Sequence, residues 1–160
     1  MVATLKKNNM QFSDHQAPIR SRQFVTLYLN KRYFGVDVLR VQEVIRQQPL
    51  TRVPLAEPVI EGLINLRGQI VLALDLRLRL GLPVRENREG CMNLVVQTGD
   101  GPVSLIVDEI GDVLEVDSQI YEKPPEMLRG VQRELIEGVY KLKDKLLIAL
   151  NVDKVVQSLE

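Results

Sequence analysis

The stretch 60–82 constrains the fold of this chain more than any other segment. Two apolar runs, Leu63–Leu66 and Gln69–Leu76, flank the pair Arg67-Gly68. Gly68 can adopt the positive φ that a two-residue connection requires, and apolar runs around such a pair are typical of a β-hairpin. The segment therefore predicts a hairpin with Arg67 at its tip and with Asn65 as a residue that stabilises the turn.

The same pattern recurs near the end of the chain. Residues 60–80 match residues 136–156 at a constant offset of 76, with apolar residues in the same places. The identical pairs are Ile60/Ile136, Glu61/Glu137, Gly62/Gly138, Leu66/Leu142, Ala73/Ala149 and Leu74/Leu150. Upstream, Gly35–Leu39 resembles Ile106–Ile110 at an offset of 71. Two copies of one supersecondary pattern predict a duplicated fold.

The remaining apolar segments are short and are separated by turn signals such as Gly99–Pro102. The strands they predict are Gln23–Leu29, Tyr33–Val38, Leu50–Val53, Met92–Thr98, Val103–Ile110, Val113–Val116, Leu135–Leu142 and Leu146–Val152. About ten short strands at this spacing are typical of an all-β protein made of two small barrels.

A few short helices interrupt the predicted strands. The spacing of Val38, Val41 and Ile45 predicts one helix. Leu76–Leu80 fits a helical turn or a strand end, and Glu126–Leu128 and Asp153–Leu159 fit short helical turns.

We expect a flexible N-terminal tail over residues 1–21 and one domain over 22–156. Its two intertwined subdomains cover about 22–83 and 84–156, with ends that can cross over. The charged segment Val84–Gly90 then predicts a surface crossing between them.

Charge and aromatic content argue against several classes of partner. Lysine plus arginine equals aspartate plus glutamate at 21 each, so no net field attracts nucleic acid or an acidic membrane. Aromatic residues make up only 4% of the chain, without tryptophan, which leaves few platforms for base stacking. No apolar run approaches the length of a membrane span, the start lacks a signal-type apolar region, and Cys91 is the single cysteine. We expect a soluble cytoplasmic protein without direct membrane insertion.

The residues that usually carry catalysis are scarce. The only histidine, His15, lies in the polar N-terminal segment, which leaves no usual zinc set or histidine-activated nucleophile, and no phosphate-binding glycine motif occurs. We therefore predict no catalytic residue, metal or cofactor. Asp37, Asp75 and Asp108 lie in or beside apolar strands, where carboxylates more often bond turn backbone. A small carboxylate enzyme with a concave site at Asp37 or Asp75 stays an alternative, as does a nucleic-acid-binding double barrel.

Several segments together resemble the CheW family of chemotaxis coupling proteins. They are Tyr33–Val38, Val41–Val44, Thr51–Pro54, Gly62–Gly68 and Leu74–Arg77, and the second half keeps the pattern with Val107-Asp108 and Asp112-Val113. The resemblance covers residues 23–156. It implies two five-stranded, SH3-like barrels side by side, in agreement with the internal duplication.

The resemblance also implies a scaffold that is not an enzyme. Such proteins bind the regulatory domain of the histidine kinase CheA and the cytoplasmic tip of methyl-accepting receptors, and so link receptor state to kinase activity in arrays at the inner face of the membrane. The resemblance implies that Val41, Glu43 and Arg67 face the receptor, with Gly62 and Gly68 shaping the segment that carries the arginine. We add two neighbours to this predicted site, Val38, which can form an apolar groove with Val41, and Asn65 beside the arginine. Weaker candidates for kinase contact are Asp108, Val113, Leu135 and Tyr140.

Two positions depart from the family pattern. Family members often carry proline where this chain has Ala73, which leaves an extra backbone donor on that strand. Glu61 stands where a small polar or basic residue is common, and it changes the charge beside the hairpin. Electrostatic complementarity sets specificity, so Glu61 bears on the identity of the partner.

Overall fold

The computed structural model describes residues 21–117, 121–122 and 132–157. Their strands are β1 (Ser21–Leu29), β2 (Arg32–Asp37), β3 (Val41–Arg46), β4 (Ile60–Leu66), β5 (Gln69–Asp75), β6 (Met92–Thr98), β7 (Gly101–Val107), β8 (Glu109–Asp117), β9 (Tyr121–Glu122), β10 (Ile136–Lys141) and β11 (Leu146–Leu150). Two short helices, α1 (Leu76–Leu80) and α2 (Val152–Val156), and 3-10 turns at Val38–Arg40 and Arg133–Leu135 accompany them. The predicted tail before Ser21 and the helical turn at Glu126–Leu128 lie outside the described residues.

The strands form two sheets. The six-stranded sheet has the order β8-β1-β2-β11-β10-β9, and the five-stranded sheet has the order β3-β6-β7-β5-β4. The prediction of an all-β protein with two sheets and a few short helices is confirmed. The sixth strand, β9, is only two residues long, and its pairing of Glu122 with Val139 corresponds to the single bridge between Thr51 and Leu63 beside the other sheet.

The predicted helix through Val41 and Ile45 is wrong beyond its first turn. Only Val38–Arg40 is helical, as a 3-10 turn, and β3 follows at once with a burial that alternates from residue to residue. β3 is rich in β-branched residues and pairs along its length with β6, and this pairing outweighs the apolar spacing that suggested a helix. The predicted strand Leu50–Val53 is reduced to a single bridge between Thr51 and Leu63.

Strand pairing supports the duplication and corrects one offset. β4–β5–α1 corresponds to β10–β11–α2 at the predicted offset of 76, and each hairpin has a bulge at its first glycine, Gly62 and Gly138. Upstream, the turn pair Leu29/Arg32 of β1–β2 matches Thr98/Gly101 of β6–β7, an offset of 69 instead of 71. The two Val-Asp pairs that suggested 71 are therefore not equivalent positions.

Each sheet draws strands from both sequence repeats. The six-stranded sheet combines β1–β2 of the first repeat with β8 to β11 of the second, whereas the five-stranded sheet combines β3, β4 and β5 with β6–β7. The first hairpin of each repeat thus pairs with the rest of the other repeat. We therefore propose that the two subdomains follow the sheets, instead of the sequence halves 22–83 and 84–156.

A shared apolar core lies between the two sheets. It contains buried side chains from β1–β2, such as Leu27 and Phe34, together with Leu94 and Leu105 from β6–β7. Two smaller clusters of buried residues lie elsewhere. One belongs to the five-stranded sheet and surrounds Ile64, and the other belongs to the six-stranded sheet and surrounds Phe24. The two helices are also tied together, because Arg79 of α1 donates to the carbonyl oxygen of Val155 in α2 at 2.6 Å.

Candidate functional site

The tip of the β4–β5 hairpin is built by a tight turn. Arg67 and Gly68 both have positive φ, at 51° and 90°, as the favoured two-residue hairpin turns require. The Asn65 side chain accepts a hydrogen bond from the Gly68 amide at 2.8 Å. Asn65 therefore fixes the turn, and Arg67 stands at the tip with 66% of its side chain exposed.

Arg67 forms a two-point ion pair with Glu43 of β3. Nη1 lies 3.1 Å from Oε1, and Nη2 donates to Oε2. The hydrogen bond from Arg67 lowers the pKa of Glu43 below its ordinary value. Because β3 and β4 are the two edges of the five-stranded sheet, this pair joins edges that a flat sheet would keep far apart. The structure thus brings Glu43, Asn65 and Arg67 together on one exposed face.

The two predicted apolar residues of the site are partly buried. Val38 lies in the 3-10 turn and Val41 at the start of β3, and both pack against the shared core. The fully exposed apolar residue here is Leu39, at 85% exposure, which the sequence interpretation missed.

A groove that the sequence did not reveal lies beside the hairpin. It has a volume of about 1060 Å³ and runs between β4–β5, the β6–β7 turn and α2. Leu63, Ile70 and Leu72 form its apolar wall, and Ile70 is 61% exposed next to the hairpin tip. Asp100, Asp153 and Lys154 also line it, so the groove combines an apolar wall with charged groups. An apolar centre with a polar rim is the usual composition of a protein-binding surface.

Gly62 and Gly68 have different roles. A Cβ on Gly62 would lie 2.5 Å from the Thr51 carbonyl oxygen, because the segment around Thr51 pairs closely with β4. No atom lies within 4 Å of a Cβ added to Gly68, so its requirement is the positive φ alone. Gly62 thus allows the close approach of a neighbouring segment, whereas Gly68 allows the turn.

The four candidates for kinase contact separate into surface and core residues. Val113 is 57% exposed on β8, an edge strand of the six-stranded sheet. Leu135 and Tyr140 are 2% and 1% exposed and belong to the core, so neither presents its side chain to a partner. The burial of both side chains therefore gives no support to the kinase contact that the family resemblance implied at these two positions.

Asp108 lies in a compact cluster of charges. It accepts hydrogen bonds from Arg77 and Arg85 and from the Asn30 amide, and Arg85 also lies 2.8 Å from Asp75. The Arg85 side chain is only 6% exposed. The charged segment 84–90 is therefore more than a surface crossing. Its first arginine, Arg85, is buried between Asp75 and Asp108, which are far apart in the sequence.

The carboxylates considered for catalysis are engaged in structural contacts. Asp37 pairs with Arg22 at 2.7 Å and also accepts a hydrogen bond from the Leu39 amide. Asp75 caps α1 by accepting from the Arg77 amide at 2.9 Å. In the part of the chain that the structure describes, no group of His, Cys, Asp or Glu side chains is arranged to hold a metal ion.

The two departures from the family pattern also have local partners. Glu61 pairs with Arg88, so its charge is compensated beside the hairpin. Ala73 is fully buried on β5 and lies opposite Ser104 in the parallel pairing with β7.

Among the described residues, no helix is long and apolar enough to cross a membrane.

Comparisons with known proteins place this arrangement in context. The family model described as "CheW-like domain" matches residues 23–160. The chain is 34% identical over 136 residues to the chemotaxis protein CheW of Bacillus subtilis, covering 83% of this chain and 85% of the relative. It is 27% identical over 135 residues to the protein PilI of Pseudomonas aeruginosa, covering 83% and 75%. The crystal structure of the scaffolding protein TtCheW from Thermoanaerobacter tengcongensis superposes with a TM-score of 0.78 at 29% identity, covering 85% of this chain and 92% of that one.

Proposed function

This chain belongs to the CheW family, and on that premise we propose how its two SH3-like barrels link methyl-accepting receptors to the histidine kinase CheA. The chain is a chemotaxis coupling protein, and it acts as a scaffold instead of an enzyme. It works at the cytoplasmic face of the membrane, where it is recruited by receptors. Neither nucleic acid nor a cofactor takes part.

The receptor-binding face consists of the hairpin tip, β3 and the adjoining groove. The observation that carries this assignment is Arg67, which is exposed at a rigid tip and already oriented by Glu43. A guanidinium held in this way offers further donors to carbonyl or carboxylate groups of a helical receptor tip. The apolar wall at Leu63, Ile70 and Leu72 accommodates the apolar side of that helix.

We expect Arg67→Glu to reduce receptor coupling by at least about tenfold, because it removes the guanidinium donors proposed to bind the receptor through charge-assisted hydrogen bonds. The new carboxylate would also be repelled by Glu43, the present partner of Arg67. The assay is co-sedimentation with membranes carrying a cognate chemoreceptor, with and without CheA, while kinase phosphorylation is followed in the same samples. The midpoint of thermal unfolding should change little, because exposed ion pairs contribute little to stability.

Two further variants sharpen this test. Arg133→Glu makes the same charge change at an exposed position of another element and should leave coupling intact. The double exchange Glu43→Arg with Arg67→Glu restores an ion pair with the charges reversed. If this double variant regains coupling, the pair matters only for folding and the receptor-facing role of Arg67 is refuted.

The kinase-binding face is less extensive. We assign it to the β8 edge of the six-stranded sheet, where Val113 is exposed and Asp108 lies at the start of the strand. An exposed edge strand with an apolar residue favours pairing with another β-protein. A Val113→Asp variant that sediments with CheA as well as the wild type does would contradict this assignment.

A further inference from the structure

A second pocket lies at one end of the six-stranded sheet, away from the Arg67 hairpin. It has a volume of about 360 Å³ and is formed by the β1–β2 turn and the start of β11. We call it the tyrosine pocket. Its lining consists of Tyr28, Tyr33, Leu146 and Ile148, together with the cationic residues Lys31, Arg32 and Lys145.

The two tyrosines and Lys145 form one ordered group. The ring centroids of Tyr28 and Tyr33 are 5.0 Å apart. The Lys145 ammonium lies 4.0 Å from the Tyr33 centroid and donates to the Tyr28 hydroxyl at 3.2 Å. The cation is thus positioned over an aromatic surface before any partner arrives, which lowers the entropic cost of using it.

The cations of the tyrosine pocket lack carboxylate partners. Lys31, Arg32 and Lys145 form no ion pair with any residue that the structure describes, whereas arginines 22, 40, 67, 77, 85 and 88 all do. The acidic side chains nearest by position are Asp144, next to Lys145 in the turn, Glu109, opposite Tyr28 on β8, and Asp108, which accepts a hydrogen bond from the Asn30 amide in the β1–β2 turn. Asp108 is already paired with Arg77 and Arg85, so among the described residues the three cations of the pocket have only two neighbouring carboxylates without an ion pair.

Lys31 also occupies an unfavourable backbone conformation. Its φ is 67°, in the left-handed region where glycine or asparagine is usually found. A long basic side chain at this turn position is less favourable than glycine, because its Cβ crowds the backbone in the left-handed conformation. Such a cost is tolerated most readily where the side chain has a use.

The internal repeat provides a comparison within the same molecule. At the offsets given by strand pairing, Lys31 corresponds to Asp100, Tyr33 to Pro102 and Lys145 to Gln69. The equivalent surface of the five-stranded sheet keeps the apolar positions Ile70 and Leu72 but carries none of these cations or tyrosines. The cationic and aromatic character is therefore specific to one of the two sheets, although both share the backbone plan.

We propose that the tyrosine pocket binds an acidic segment of a partner protein, with one apolar side chain between flanking carboxylates. The apolar side chain packs on Tyr33, Leu146 and Ile148. The carboxylates pair with Lys31, Arg32 and Lys145. Charge complementarity and the apolar floor together favour a peptide over a simple anion, because an anion would leave the floor uncovered.

The test is direct binding of a defined probe to the full chain. The probe is a fluorescein-labelled peptide with one phenylalanine flanked on each side by glutamates, measured by fluorescence anisotropy. Two control peptides replace the glutamates by glutamine or the phenylalanine by serine. Lys145→Glu should weaken binding at least about tenfold, and Lys143→Glu, an exposed change in the same turn outside the lining, should alter it less than about twofold.

Several outcomes would overturn the proposal. They are absence of binding up to about 1 mM peptide, equal binding of the glutamine peptide, or an unchanged affinity in Lys145→Glu. Anionic phospholipid vesicles form a separate arm, since binding to vesicles without binding to the peptide would reassign the pocket to a membrane surface. Circular dichroism melts of both lysine variants verify that any loss of binding occurs in folded protein.

Discussion

Asp108 shows how a single residue holds distant parts of the chain together. Burial raises the pKa of its carboxyl, but hydrogen bonds from Arg77, the Asn30 amide and Arg85 lower it more, and the net result is a pKa below the ordinary 3.8. A carboxyl with a depressed folded pKa contributes stability above its unfolded pKa and loses it as pH falls through the folded value. The cluster is therefore acid-sensitive and insensitive to pH near neutrality.

Asp108→Asn should reduce the free energy of unfolding at pH 7 by about 2 kcal/mol, because two arginines lose a carboxylate partner. The difference from wild type should shrink as pH falls below 3.8, because the unfolded carboxyl is protonated first, and it should vanish once pH passes through the lower folded pKa of Asp108. Urea unfolding at a series of pH values measures this. Asp112→Asn, at an exposed position four residues later, is the matched control and should show little difference at any pH. A constant difference down to pH 2 would show that Asp108 acts through shape instead of charge.

At the scale of elements, the strand β3, which carries Glu43 of the candidate site, has two faces that differ in burial. Val41 packs against the shared core, whereas Val44 is 37% exposed. We expect Val41→Asp to lower the free energy of unfolding by about 2 to 3 kcal/mol, because it places an unpaired charge against apolar side chains. Val44→Asp should cost less than about 1 kcal/mol.

Urea unfolding of both variants checks this, with the slope of the transition compared to verify that the same surface is exposed. Equal losses in the two variants would mean that both faces of β3 are packed. The comparison also decides how coupling data on Val41 are interpreted, because a partly unfolded variant loses binding simply through the smaller fraction of folded protein.

The elements that could be predicted are those whose signal is local. The hairpin around Arg67-Gly68 needs only two apolar runs and a glycine that accepts positive φ, and its turn was predicted to the residue, although β4 begins at Ile60 instead of Leu63 and β5 ends at Asp75 instead of Leu76. β3 could not be assigned in this way. Its valines fit a helical spacing, and the β6 partner that makes it a strand lies about fifty residues away in the sequence.

The candidate site was predictable only in part for a similar reason. The family resemblance supplied Glu43 and Arg67, but their contact joins opposite edges of a sheet and has no local signature. Arg85 lies in a segment that is polar throughout, so its burial between Asp75 and Asp108 could not be inferred from composition. The groove beside Ile70 depends on how α2 is placed against β5, which is again a long-range property.

At the scale of the whole molecule, the exchange of hairpins between the repeats makes the two sequence halves interdependent. Fragments 21–83 and 84–157 should each lack cooperative unfolding alone, because each contains strands of two incomplete sheets. An equimolar mixture should recover β-sheet circular dichroism and a cooperative melt. Cooperative unfolding of either fragment by itself would show that a half of the chain suffices for a stable sheet.

The interdependence also has a functional side. The proposed receptor face lies on the five-stranded sheet, whereas the tyrosine pocket and the β8 edge belong to the six-stranded sheet. One shared core supports both sheets. A scaffold with this construction holds its partners at a fixed relative position, because neither sheet can move without disturbing the packing of the other.

The order of the strands also determines what happens while the chain is being made. As the ribosome proceeds from the N-terminus, every strand of the five-stranded sheet is available once β7 has emerged. The β1–β2 hairpin, although synthesised before these strands, must wait for its sheet neighbours β8 and β11, which follow β7 in the chain. During translation this hairpin exposes Leu27 and Phe34 without their final neighbours. The earliest part of the nascent protein is thus the last to be protected, and it is the segment on which a ribosome-associated chaperone would act.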